Sequence, residues 1–273
     1  MTLSVNTNVS AMVALQQLNV TNRDMAEVQT RINTGLKVAG PKDNGAVYAI
    51  AQNMRGEIAG FEAVKTALDN AVSVVDVGLA AGQSISDLLI EMKEKAVAAL
   101  DSSLDTSSRN ALQNDFAALR DQIGTIAGNA EFNGFNMLDG SVSSIAVLAN
   151  PDGDTITVTA QNMTTGTAGL ALSALSLATA TNATAARSAI DSAIDTANQQ
   201  LAQLGTRAKS IEIHQGFVDK LIDSLTSGVG NLVDADLAKE SARLQALQIK
   251  QQLGTQALSI ANQAPQSILG LFG

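Results

Sequence analysis

From Val47 to Ala99 an apolar or small residue returns every three or four positions: Val47, Ile50, Met54, Ile58, Phe61, Val64, Leu68, Ala71, Val75, Leu79, Gly82, Ile85, Leu89, Met92, Ala96 and Ala99. That spacing draws one stripe along an α-helix. At 1.5 Å per residue the helix is about 80 Å long, several times the usual globular helix of about 11 residues. A stripe of that length is buried only by another long helix lying beside it, so the chain is confined to rods, long bundles and coiled coils. The composition agrees. Of the residues 45% are hydrophobic but only 3% aromatic, with no Trp and one Tyr, so the apolar content is mostly Ala, Leu, Val and Ile. Such a mixture favours helix.

The partner stripe starts at about Thr184. Ile190, Ile194, Ala197, Leu201, Leu204, Ala208, Ile211, Gln215, Val218, Ile222, Leu225, Val229 and Leu232 alternate steps of four and three, with Gln215 as one polar register point. Asp101–Ser108 reads as a turn rich in N-cap residues, and Leu112, Phe116, Leu119, Ile123, Ile126 and Ala130 follow as a shorter amphipathic helix. The period then changes to short β-favouring segments, Ser144–Leu148 and Thr155–Thr159. They flank Asn150-Pro151-Asp152-Gly153, a hairpin expected to cap the bundle. Residues 160–185, rich in Thr, Ala and Gly, are expected to form an irregular surface connection. The fold class is therefore mainly α: a long antiparallel helical bundle or coiled coil with a small β-hairpin, its N- and C-terminal helices paired.

Several function classes lose ground at once. Seventeen Lys and Arg against 26 Asp and Glu leave a net charge of −9, a field that repels phosphate backbones and anionic lipid. Nucleic-acid binding is not expected. The chain has no Cys and one histidine, His214, expected as an ordinary helix-face residue, so neither a Cys/His pair nor a zinc site can be assembled. Gly78 and Gly82 lie within a helical pattern rather than in a phosphate-binding turn. No catalytic residue, cofactor or metal is assigned. No run of 18 apolar residues occurs and the first 30 residues lack the layout of a cleavable signal, so neither membrane insertion nor signal-peptide export is expected.

The terminal segments mirror each other. Ala11, Leu15, Leu18, Asn22, Met25, Val28 and Ile32 form a stripe ending at Gly35, broken only by Asn22. Leu237, Leu244, Leu247, Leu258 and Ala261 continue one up to Pro265. Glycines and turn residues around Gly40-Pro41 and Gly228 to Asp236 set both segments apart from the central bundle. Two such helices alone bury little area, so they need other subunits, and contacts between unlike surfaces propagate into rings or open helical arrays. The expected assembly residues are Val5, Val9, Met12, Leu15, Leu18, Met25, Val28 and Ile32 at one end. At the other they are Leu237, Leu244, Leu247, Leu253, Leu258, Ile260 and Leu269.

Individual motifs then bring a family into view. The N-terminal half contains Asn6-Thr7-Asn8, Arg31-Ile32-Asn33-Thr34-Gly35-Leu36-Lys37, Asp43-Asn44-Gly45-Ala46, Glu57-Ile58-Ala59-Gly60-Phe61 and Glu131-Phe132-Asn133-Gly134. The C-terminal half contains Ala189-Ile190-Asp191, Val233-Asp234-Ala235-Asp236, the run from Gln248 to Gly254, and Ala261-Asn262-Gln263-Ala264-Pro265-Gln266. In this order the chain resembles a bacterial flagellin of the short form, without large outer domains. The resemblance implies an extracellular filament subunit for swimming, with 1–44 and 234–273 as an inner assembly domain. It implies 45–140 and 183–233 as the helical bundle and 141–182 as a short variable segment. It also implies homopolymers or co-polymers with related flagellins, type III export of the unfolded chain, an export chaperone at the C-terminal segment, and filament cap and hook-associated partners. The competing readings are a hook-filament junction protein and a helical binding module that does not polymerise.

Two further expectations follow from the resemblance. Many relatives carry an innate-immune-receptor-facing run on the long helix, where this chain reads Leu89-Ile90-Glu91-Met92-Lys93-Glu94-Lys95-Ala96-Val97-Ala98-Ala99. Glu91, Lys95 and Ala98 stand at the Arg, Leu and Gln of that run, which implies defective recognition. Some relatives bear O-linked sugars on the outer segment, here implying Thr155, Thr157, Thr164, Thr165 and Thr167.

Overall fold

The structure is a computed structural model that describes residues 7–269, the side chains of 264–269 excepted. The chain runs α1 (Val9–Thr34), α2 (Gly45–Ala98), α3 (Thr106–Asn129), β1 (Glu131–Phe132), β2 (Phe135–Asn136), β3 (Ser144–Leu148), β4 (Thr155–Thr159), α4 (Ala180–Val233) and α5 (Leu237–Leu269). It divides into two compact units, residues 1–56 with 224–273, and residues 57–223. Helices α2 and α4, each 54 residues long, contribute to both.

In the unit of residues 57–223, α2 and α4 run antiparallel, joined along their flank by Lys65–Asp219 at 2.6 Å and Lys93–Asp191 at 2.7 Å. Val64, Leu68, Ile85, Leu89 and Met92 of α2 and Ile190, Leu204, Ile211 and Val218 of α4 are all fully buried with Phe116 and Ile123 of α3. The three-and-four stripes thus become one shared core. Of the five glycines of α2, Gly78 and Gly82 face α4. A Cβ at Gly82 would stand 2.6 Å from Leu201 Cδ2, and one at Gly78 would meet Met137 at 3.3 Å. Asp105 caps α3 by accepting from the Ser108 N–H at 2.7 Å, and Arg109 reaches back to the carbonyls of Ala99 and Asp101 at 2.6 and 2.9 Å. Together they set the turn between α2 and α3. The Gln215 amide donates to Asp69, which gives the polar register point a partner on α2.

The expected hairpin forms: β3 and β4 pair antiparallel from Ser144 opposite Thr159 to Leu148 opposite Thr155. A second, smaller hairpin of β1 and β2 escaped the periodicity because each strand has two residues. Its turn rests on Asn133 and Gly134, both at positive φ (51° and 82°). The connection after β4 departs from expectation. It is irregular, but Met163, Leu170, Leu172 and Leu177 are buried in the core rather than lying on the surface. Its backbone is satisfied by its own turns and by α3: the Thr165 carbonyl accepts from Leu172 and Ser173, and the Gln113 side chain receives the Leu177 N–H.

The other unit is built on α1 against α5. Gly35 closes α1 in the left-handed conformation (φ 72°), donating to the Arg31 carbonyl at 2.9 Å. Lys37 N–H to Val233 O at 2.7 Å and Ala235 N–H to Gly35 O at 2.8 Å then tie the end of α1 to the start of α5. Helix α5 does not stop at Pro265 but runs through it to Leu269. Proline removes the N–H that would bond the carbonyl four residues back. That carbonyl belongs to Ala261, and it accepts instead from Asn8 Nδ2 at 2.6 Å.

One stretch of 18 residues within α2 is apolar enough by composition to cross a membrane, at mean hydropathy 1.3, and a third of it is buried. Such a stretch is also what a core helix of a long bundle looks like.

Candidate assembly interface

Three polar contacts fix the register of α1 against α5. Asn8 Nδ2 donates to Ala261 O, Gln251 Nε2 to Asn22 Oδ1 at 2.8 Å, and Arg31 to Glu240 Oε1 at 3.4 Å. As one partner climbs in number the other falls, so the pair is antiparallel. Asn22, the one break in the N-terminal stripe, is therefore a register point. Arg31 also holds Glu27 at 2.5 Å within its own helix. Glu240 is 8% exposed, and its second carboxylate oxygen has no hydrogen-bond partner.

Between these contacts Val28 and Leu247 are buried at 1% and 6% exposure, and Leu18, Met25, Ile32, Leu244 and Leu258 are half-buried. Leu18 lies against Gly254, where an added Cβ would stand 3.2 Å from it. Thr21, absent from the predicted stripe, is buried at 5% because its hydroxyl donates to the Gln17 carbonyl at 3.0 Å and leaves its methyl free to pack. Leu15, expected in that stripe, is exposed.

The remaining expected residues point elsewhere. Val9, Met12 and Leu15 on α1 and Leu237, Leu253 and Ile260 on α5 are exposed, as are Val13 and Ile249, which the sequence stripes do not include. Val9, Met12 and Val13 stand exposed near the start of α1, Val9 and Val13 on the flank that borders α5. Ile249, Leu253 and Ile260, at steps of four and seven, make a second stripe on α5 turned from α1. Beside them an open groove of about 560 Å³ runs between the helices, lined by Val9, Val13, Ala14, Gly254, Ala257 and Ala261. Val5 lies outside the described residues, and of Leu269 only the backbone is described. Each helix therefore carries two apolar faces, one spent within the chain and one open. Contiguous exposed apolar surface on this scale marks an interaction site.

In the unit of residues 57–223, Glu91 and Ala98 are exposed and Lys95 is half-buried, 3.6 Å from Asp115. All three lie beside the buried Leu89, Met92 and Ala96. Thr155, Thr157 and Thr167 are exposed. Thr164 and Thr165 are half-buried, and the Thr164 hydroxyl already donates to Asn162 Oδ1 at 2.6 Å. His214 sits on the helix face with Nε2 2.8 Å from the Ala149 carbonyl, and its ring lies near Phe217. Among the described residues no cluster of three or more His, Asp or Glu side chains is placed to hold a metal ion.

The comparisons with known proteins agree with this geometry. The family described as the bacterial flagellin N-terminal helical region matches residues 5–143, and the C-terminal helical region matches 188–272. The chain is 54% identical over 269 residues to flagellin FljM and 55% identical over 272 residues to flagellin FljK, both of Caulobacter vibrioides. Each alignment covers 98% of both chains. A flagellin of Brucella melitensis is 36% identical over 281 residues, covering 98% of this chain and 99% of its own. A solved flagellar hook-associated protein from Vibrio parahaemolyticus superposes with a TM-score of 0.61 over 70% of this chain and 100% of its own. At 14% identity it is a likeness of fold alone. With both terminal regions matched and full-length relatives at more than half identity, the chain belongs to the bacterial flagellin family and is an extracellular structural subunit of the flagellar filament.

Proposed function

We propose that the terminal segments, residues 1–44 and 234–273, are the polymerising part of the subunit. On this reading 45–140 with 183–233 form the helical bundle, and 141–182 is the short variable segment. The observation that carries it is the second apolar face: α1 and α5 bury one stripe against each other and still present Val9, Met12, Val13, Ile249, Leu253 and Ile260 to the outside. Those faces and the groove between them are suited to the same helix pair of neighbouring copies. Relatives of 52 to 55% identity occur as several flagellins of one organism, which supports co-polymers with related chains as well as homopolymers. An export chaperone would take the C-terminal helix by its open stripe, and cap and hook-associated proteins would meet the same faces at the filament ends.

Seeded polymerisation watched by electron microscopy tests this division. Chains lacking residues 1–33 or 236–273 should form no filaments while the bundle of 57–223 keeps its melting transition, because its core does not use those helices. Long filaments from either truncated chain would refute it.

A further inference from the structure

The unit of residues 57–223 carries an apolar patch and an apolar cleft that do not meet within one chain. The patch is Ile213 and Phe217, one turn apart on α4 and 66% and 56% exposed, on the side turned from the buried Leu204, Ile211 and Val218. Phe217 is held in place: its ring lies 5.9 Å from that of His214, which is itself bonded to the Ala149 carbonyl. The cleft, of about 340 Å³, opens between α2 and the two hairpins and is lined by Ala71, Val74, Phe132, Phe135, Val147 and Leu148. Phe132 and Phe135 stand 38% and 45% exposed at its mouth. None of the patch residues lines the cleft.

Patch and cleft stand at the same height. Lys65 faces Asp219, Gly78 faces Leu204, Gly82 faces Leu201 and Lys93 faces Asp191 across the α2–α4 pair. Ile213 and Phe217 are therefore level with the stretch from Thr66 to Ala71, and the cleft is lined by α2 residues from Ala67 to Val74. The charges at their borders also match. The exposed Lys209, which pairs with Glu212 of its own helix at 2.9 Å, stands one turn before Ile213, and the exposed Glu131, with no ion pair to any described residue, adjoins Phe132.

We propose that the Phe132–Phe135 cleft of one subunit receives the Ile213–Phe217 patch of a second copy, as a side-to-side contact of the filament. The inference rests on the filament reading above. A pre-set aromatic entering an apolar, aromatic-walled cleft is the kind of buried anchor that dominates interface energies. The two surfaces are unlike, so the contact is heterologous: each copy offers its patch to one neighbour and its cleft to another, and the series does not close on a pair.

The absence of Cys gives a direct test. Ser210→Cys and Ala146→Cys each add one thiol at an exposed position, the first beside the patch and the second on the cleft wall. Filaments co-assembled from the two variants and then oxidised should yield a disulfide dimer of twice the 28.1 kDa subunit mass. Filaments of Ser210→Cys alone should not. Phe217→Ser and Phe135→Ser should each raise the critical concentration for polymerisation at least about tenfold, the scale of losing one buried aromatic anchor. Filaments without the mixed dimer, or with equal dimer from Ser210→Cys alone, overturn the pairing while leaving the filament reading intact. If a cysteine variant fails to polymerise, the serine variants decide, and either one polymerising like the unmodified chain overturns the pairing. No filaments from the unmodified chain would overturn both.

Discussion

Gly82 offers the most exacting check on the packing of α2 against α4. Glycine inside an exposed helix costs about 1 kcal/mol relative to alanine, so Gly82→Ala considered by itself should stabilise a helix 54 residues long. The structure opposes that gain. The new methyl would stand 2.6 Å from Leu201 Cδ2 and 3.3 Å from Met163 Sδ, and Met163 is fully buried. Leu201 is half-buried and meets the methyl with a terminal carbon, so it can yield partly, at an overpacking cost of about 2 kcal/mol. Gly82→Ala alone should therefore destabilise by about 1 kcal/mol. Leu201→Ala alone should cost about 2 kcal/mol, the low end for a leucine because the site is only half-buried.

With both substitutions present the clash with Leu201 is gone, the helix gain of about 1 kcal/mol remains, and the vacated space lets the new methyl and Met163 settle at ordinary contact. The pair should then cost about 1 kcal/mol, roughly 2 below the sum of the singles. A unit of this size moves about 3 °C per kcal/mol. Thermal melts followed by circular dichroism should thus fall by about 3 °C for Gly82→Ala, about 6 °C for Leu201→Ala and about 3 °C for the pair. Strict additivity, with the pair down by about 9 °C, would show that the two helices do not meet at Gly82.

Other perturbations probe separate parts. Leu204→Ala, at a fully buried site, should cost about 2 to 5 kcal/mol in the melt of the bundle, whereas Leu244→Ala, half-buried in the terminal unit, should leave that melt unchanged and slow polymerisation. Equal melting losses would contradict the division. The hydrogen bond from Lys93, and then the Lys93 and Arg187 charges, hold the Asp191 carboxyl below its usual range. Its stabilisation is therefore present above that range and lost as pH falls through the lowered value. The melting gap between the unmodified chain and Asp191→Asn should close on acidification, and a gap that widens would reverse the assignment. Depolymerised monomer should activate the host flagellin receptor poorly and a Glu91→Arg, Lys95→Leu, Ala98→Gln variant strongly, and strong signalling by the unmodified chain would refute the expectation.

Legibility in the sequence followed length. The stripes of α2 and α4 repeat so often that one misread position changes nothing, and the β-favouring segments Ser144–Leu148 and Thr155–Thr159 around their turn residues placed the hairpin, though not its register. Gly35 was readable as a C-cap because a left-handed terminus favours a residue without Cβ. What escaped depended on partners distant in sequence. Thr21 reads as polar but satisfies its hydroxyl on its own helix and buries its methyl. Pro265 reads as a stop, yet Asn8, 253 residues away, supplies the donor that the Ala261 carbonyl loses. Met163 to Leu177 have no period because turns place each side chain, and only the tertiary fold brings them to one core. The assembly surface was half legible for a related reason. Apolar spacing marks the residues that seek burial but does not sort those spent inside the chain, such as Val28 and Leu247, from those left open, such as Ile249 and Leu253. A signal for the second face was present in the steps of four and seven from Ile249 to Ile260, overlaid on the stripe facing α1.

An exported subunit with open apolar faces must avoid clumping before it reaches its place, and the charge distribution suits that need. The terminal unit holds eight Lys and Arg against six Asp and Glu, and the bundle nine against twenty, so the −9 of the whole is +2 on one unit and −11 on the other. Two free subunits approaching bundle to bundle repel each other at distances up to a Debye length, about 8 Å at physiological salt. The terminal helices, nearly neutral and apolar on their open sides, meet no such barrier. Random collisions between bundles are thus discouraged while helix-pair contacts remain available, and the bundle surfaces come together only where an apolar contact offsets the repulsion. On the proposed pairing, Ile213 with Phe217 and the Phe132–Phe135 cleft are such places. The acidic bundle and the nearly neutral terminal unit therefore divide the work: one keeps the monomers apart, and the other selects the order in which surfaces meet.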